Sequence, residues 1–134
     1  MAQARLSFTV TEQDTARALG SGDVEVLATP RLLAWCEAAT CVVASEVIGD
    51  AEPVVGTVAG PGSAGPGSPR TSVGTRVALD HLAASAVGQR VHVEAVLTEH
   101  RERVLDFSVS ATDDSGRLLA TGEVRRAIVP RDRF

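Results

Sequence analysis

The sequence has no tyrosine, one tryptophan and three phenylalanines. So few rings provide no stacking platform for single-stranded nucleic acid or RNA bases. There is no basic excess either. The formal charge is -4, so no electrostatic footprint for nucleic acid is expected, although a local arginine cluster still receives an anionic ligand. No apolar run approaches the roughly 18 residues of a membrane span. The longest candidate, 29–48, is interrupted by Arg31, Glu37, Thr40 and Ser45. The opening MAQARLSFTV has no basic stretch followed by an apolar one, so no signal peptide is expected. Cysteine is confined to Cys36 and Cys41. On one helix they stand about 140° apart around the axis and cannot pair. A reduced, cytoplasmic protein is the natural expectation. No histidine pair has ligand spacing and neither Cys-x-x-Cys nor His-x-x-x-His occurs, so no metal is expected. No nucleotide cofactor is expected, because the glycine-rich stretch lacks the lysine and flanking elements of a phosphate loop.

What is present is one domain's worth of chain. At 134 residues, 44% apolar and 22% charged, residues 1–134 are enough for a single sizeable core. One stretch dominates: TPRLLAWCEAATCVVASEVI, 29–48. Thr29-Pro30 is a helix start, with threonine in the capping position, and Gly49 suits the left-handed stop. The intervening residues are apolar on nearly every side, so the helix is expected to be wrapped by a sheet or by a sheet and a second subunit.

The remainder reads as β-structure. Residues 5–10 alternate as a short strand, 11–22 form a polar loop with room for one helical turn, and 24–27 are strand-like. Residues 49–70 contain GPGSAGPGSP and read as a flexible loop. Strand patterns then follow at 71–79, 89–100, 103–112 and 117–129. The charged turn 99–103 and Asp113-Asp114-Ser115-Gly116 separate the last three, and Pro130 stops the last. Strands joined by tight turns around one long helix predict an α+β fold with an antiparallel meander that leaves two open sheet edges.

Three residues stand out as candidates for chemistry. Glu37 is the lone acid on a helix face formed by Leu33, Ala34, Thr40, Cys41 and Ala44. A buried carboxylate without a partner is costly, so Glu37 is functional, or the helix face opens to solvent at that point, or the acid is paired with an arginine such as Arg76 or Arg125. Thr29 is a helix cap by default, but a cap hydroxyl can still face a cleft. His81 ends a strand beside a loop, where a rigid scaffold can present it. His92 and His100, on the polar faces of a hairpin, are expected to be solvated.

Together, the run EVLATPRLLAWCEAA, the segment GTRVALDH and the closing hairpin resemble the fluoroacetyl-CoA-specific thioesterase family of hotdog proteins. That family opens its central helix with Thr, places Glu eight residues later, and closes a Gly-Thr-x-x-x-x-His strand with His; here these are Thr29, Glu37, and Gly74-Thr75 through His81. The resemblance covers roughly residues 5–130. It implies a hotdog homodimer with sites at the interface, hydrolysing a small acyl-CoA without metal or organic cofactor. Thr29, Glu37 and His81 would form the catalytic group, with Glu37 acting as nucleophile or as base for water. Gly74 would help bind the oxyanion, and Arg125 and Arg126 would meet the CoA phosphates. The aromatic gate that precedes the central helix in the fluoroacetyl-selective member is missing, since this chain reads Gly20-Ser21-Gly22-Asp23-Val24. The thioesterase machinery therefore carries over without the fluoroacetyl selectivity. The competing readings are a non-catalytic acyl-CoA or small-ligand binding hotdog protein, and a hydratase or dehydratase. The latter is disfavoured because the adjacent Asp80 and His81 point to opposite faces of a strand.

Overall fold

Apolar alternation builds one antiparallel sheet, and the long helix covers one of its faces. A computed structural model describes residues 2–49 and 69–133. Most of the expected 49–70 loop lies outside the described residues. The strands are β1 (Gln3–Thr9), β2 (Arg70–His81), β3 (Arg90–Arg101), β4 (Val104–Asp113) and β5 (Leu118–Pro130). A short helix α1 (Ala16–Leu19) precedes the long helix α2 (Thr29–Ile48). Residues 24–27 make only isolated bridges, Thr15 with Leu27 and Val26 with Ala86, and form no strand of the sheet.

The sheet order is β1-β3-β4-β5-β2. The expected meander therefore holds for β3, β4 and β5 only. β2 crosses over to pair with the far side of β5, which makes β2 and β1 the two edges. Val91, Val93, Ala95, Leu105, Phe107, Val109 and Val124 turn their buried side chains to the core. From α2, Leu32, Trp35, Cys36, Ala39 and Val43 meet them. Trp35 stacks on Phe8 of β1 with ring centroids 4.6 Å apart. The helix is not enclosed on all sides, since Leu33, Glu37, Cys41 and Val42 remain half-buried. Gly49 closes it in the left-handed conformation at φ 55°.

Two irregularities fix β2. Its register against β5 shifts between Gly74 and Arg76. On a regular strand, residues seven apart face opposite sides. The bulge restores the match, so Gly74 opposite Arg126 and His81 opposite Ala120 both lie on the helix-covered face. The simple alternation expected through Val73, Thr75, Val77 and Leu79 is thereby broken. Further along, a Cβ on Gly122 would collide with the Ala78 carbonyl oxygen and come 3.0 Å from Leu79 Cα. Gly122→Ala is therefore expected to force β2 away from β5 and cost about 1–3 kcal/mol, read as a lowered urea midpoint.

Candidate active site

Thr29 does not cap its helix. Ala28 holds the cap position and offers no side-chain bond, while Thr29 is the first helical residue. Its hydroxyl is turned instead to the last residue of β2, with Thr29 Oγ1 and His81 Nδ1 2.8 Å apart. His81 Nε2 is buried and has no hydrogen-bond partner among the described residues. Burial pushes the imidazole below its ordinary pKa, so the ring is neutral near pH 7. A neutral ring carries one proton, which leaves one nitrogen free to accept another.

The pair opens onto a cavity of about 330 Å³ lined by Val24, Val26, Leu27, Leu82, Ala83 and Ala84 together with Thr29 and His81 themselves. Val24 and Leu82 are exposed there, at 53% and 56%. The short segment joining α1 to α2 thus forms one wall and the residues after β2 form the other.

Glu37 lies elsewhere. A Cβ on Gly74 would stand 3.0 Å from Glu37 Oε2 and 3.7 Å from an Arg126 terminal nitrogen, so carboxylate, glycine and guanidinium share one small region. Eight helical residues separate Glu37 from Thr29, about 12 Å of rise. Along β2, Gly74 and His81 are roughly 20 Å apart. Within one chain, then, Thr29 and His81 are brought together and Glu37 is not.

The two arginines part company because neighbours on a strand face opposite ways. Arg126 is 7% exposed on the helix side, its Nε donating to Ser72 Oγ at 2.9 Å and its Nη2 to the Ser72 carbonyl at 3.2 Å. Arg125 lies on the outer face, donating to Asp106 Oδ1 at 2.7 Å. That bond holds the Asp106 carboxyl below its usual range. Arg76 pairs there with Glu123 at 4.0 Å. Arg76 and Arg125, the counter-ions considered for Glu37, are thus engaged with other acids.

The cysteines and the other two histidines resolve simply. Burial, with Glu37 adding to it, pushes the Cys36 thiol up to about 12, and burial likewise raises Cys41. Both stay protonated and are poor nucleophiles. His92 is not solvated as expected. Its side chain is 13% exposed and bridges Ser7 Oγ at 2.7 Å and Asp114 Oδ1 at 2.6 Å. The cause is the pairing of β1 with β3, which sets Ser7 opposite His92 and which no local pattern shows. His100 is exposed as expected. No group of three or more His, Cys, Asp or Glu suited to a metal ion occurs among the described residues. No helix among them is long and apolar enough to cross a membrane.

Residues 67–132 match the family model described as fluoroacetyl-CoA-specific thioesterase. Solved structures agree on the fold. A point mutant of the fluoroacetyl-CoA-specific thioesterase, in complex with fluoroacetate and CoA, superposes with a TM-score of 0.78 at 24% identity, covering 99% of this chain and 96% of that one. A hypothetical Thermus thermophilus protein, a thioesterase superfamily member, gives 0.77 at 22%, covering 98% and 84%. A hot-dog-like protein from Thermanaerovibrio acidaminovorans gives 0.76 at 19%, covering 98% and 84%. A search of the curated proteins gives no match by sequence. The fold is the hotdog fold, and the resemblance read from the sequence stands. With it stands the class of enzyme, a thioester hydrolase.

Proposed function

We propose that this hotdog-fold thioester hydrolase cleaves a small acyl-CoA to the free acid and CoA, using Thr29 and His81 of one protomer with Glu37 of its partner. The observation that carries this is the Thr29–His81 hydrogen bond at the wall of a cavity of mixed polar and apolar lining, with His81 Nε2 left without a partner. A nucleophile within hydrogen-bond reach of a base, itself oriented by a third group, is the general arrangement for acyl transfer.

The missing third group is supplied by symmetry. β2 is a sheet edge, and residues 74–78 along it are all exposed, including Val77 at 43%. An exposed edge carrying an apolar residue is a pairing surface. If two copies of β2 pair antiparallel about an axis near Val77, Gly74 of one copy falls within a residue or two of His81 of the other. Glu37, held against Gly74, then reaches His81 Nε2. The half-buried Leu33 and Val42 of α2 gain cover from the second helix.

The chemistry follows from that placement. Thr29 Oγ attacks the acyl carbon and its proton passes to His81 Nδ1, while Glu37 steadies the imidazolium at Nε2. The carbon–sulfur bond breaks and the departing thiolate takes the proton from Nδ1. Water then attacks the acyl-threonine ester by the same proton path, releasing the acid and restoring Thr29. A backbone N–H near Gly74 is the candidate oxyanion donor. The cavity, walled by Val24, Leu27, Leu82 and alanines, suits a short or medium acyl chain. Of the two arginines, Arg125 is the accessible candidate for a CoA phosphate, whereas Arg126 is buried beside Glu37.

Free-thiol release from a panel of acyl-CoAs tests the function. Hydrolysis of at least one short or medium chain is expected, and mass spectrometry of a quenched reaction should find the acyl group on Thr29. Wild type that binds CoA esters without releasing thiol would make this a binding protein instead. Gly74→Ala tests the placement of Glu37. The added methyl must push the carboxylate by a few tenths of an ångström. A fall in kcat of about tenfold is expected, with thermal stability unchanged or slightly raised, since alanine loses less chain entropy than glycine.

A further inference from the structure

We propose that Asp14, which lies outside the cavity lining, is a positioning residue that sets the Thr29 hydroxyl against His81. The proposal rests on the reading of Thr29 and His81 as the reacting pair. The helix that presents Thr29 has no side-chain cap of its own, because its cap residue is Ala28. Its start is therefore fixed from outside, and the fixing runs through Asp14. The Asp14 carbonyl accepts the Ala28 N–H at 2.9 Å, one residue before Thr29. Its carboxylate Oδ1 lies 3.0 Å from Arg31 Nε in the first turn of α2. This is a contact of charge, the N–H not being aligned as a hydrogen bond. The other carboxylate oxygen accepts both the backbone N–H and the hydroxyl of Thr11, at 2.8 and 2.9 Å.

One side chain thus clamps the turn it belongs to, and the same residue holds the helix start on both sides of Thr29. The Asp14 side chain is only 14% exposed, so the ion pair is better shielded than a surface contact. A negative carboxylate beside the N-terminal turn also complements the helix dipole. The consequence falls on Thr29, because residues 28 and 31 bracket it. It falls too on the cavity wall, because 15–27 is the segment between the two anchor points.

The test compares Asp14→Ala, Asp14→Asn and Arg31→Gln in full-length protein, by acyl-CoA hydrolysis and by ¹⁵N NMR of the His81 ring without substrate. Asp14→Ala should lower kcat about 30-fold with KM held within about threefold, and should weaken the NMR signature of the Thr29–His81 hydrogen bond. Asp14→Asn, which keeps an acceptor for Thr11, should recover part of kcat. In a Thr29→Ala background the Asp14→Ala effect should shrink to about twofold or less, because residues acting through one contact are not additive. An equal fall in both backgrounds, or an unaltered His81 spectrum, overturns the proposal. Should Asp14→Ala fail to fold, Arg31→Gln leaves the Thr11 turn intact and should still lower kcat about fivefold; full activity there overturns it. If wild type hydrolyses no acyl-CoA, the functional reading fails by itself, and the NMR comparison still decides whether Asp14 positions Thr29.

Discussion

His81→Ala is expected to lower kcat by about 10³-fold, the usual weight of a positioned acid–base group. The change removes a side chain at the end of β2 that is only half-buried, so the melting temperature should move little. Thr29→Ala should follow in kind, and Thr29→Ser should retain most activity, because the 2.8 Å contact to Nδ1 needs only a hydroxyl. The pH profile carries a sign. Catalysis needs the neutral imidazole, and burial holds its pKa below the ordinary 6.5. Activity should therefore hold at and above neutral pH and fall to half only at a pH below 6.5, as the pH drops through the lowered value. An acid limb centred above 6.5, or one that persists in His81→Ala, would show that another group titrates in the rate.

The residues of this pair were legible in the sequence, but the reason for their meeting was not. Thr29 before Pro30 announced a helix start, and the cap reading followed from local chemistry alone. The structure gives the cap position to Ala28, fixes it through Asp14, and leaves the threonine hydroxyl for His81. Helix starts are uncertain by a residue in any reading, and here that one residue separates a structural role from a chemical one. The helix itself, its glycine stop and the strands after it were plain, because each rests on periodicity or turn chemistry within a short window. The exchange of β2 to the far side of β5 was not plain, because strand order depends on contacts far apart in sequence. Nor was the bulge at Gly74 to Arg76 legible, since alternation through that stretch looks unbroken. It took the pairing to β5 to show that Gly74 and His81 share a face. His92 failed for the same kind of reason: its partners Ser7 and Asp114 come from other strands and turns.

The arginines sharpen the point about faces. Read as a pair, Arg125 and Arg126 suggested one phosphate site. The pleat sends one outward to Asp106 and the other inward to Ser72, near the Glu37 carboxylate. A single CoA phosphate cannot meet both in one protomer. Arg126 is better seen as part of the surroundings of Glu37, and Arg125 as the arginine open to ligand.

Mixing two inactive variants should restore activity, the strongest consequence of a site shared between protomers. Glu37→Gln and His81→Ala each disable every site in their own homodimers. When subunits exchange, a mixed dimer carries both defects in one site and neither in the other. With random pairing, half the dimers are mixed and half their sites are intact, so recovery should approach about a quarter of wild-type activity. A site complete within one protomer predicts no recovery, because each chain would keep its own lesion. Val77→Asp supplies the control on assembly. A charge at the proposed pairing axis should leave the protomer folded, since Val77 is 43% exposed, while light scattering reports a monomer and activity falls with the dimer. Activity retained in a monomeric Val77→Asp protein would sink the shared site, and with it the account of why Thr29 and His81 stand together while Glu37 lies about 12 Å further along the same helix.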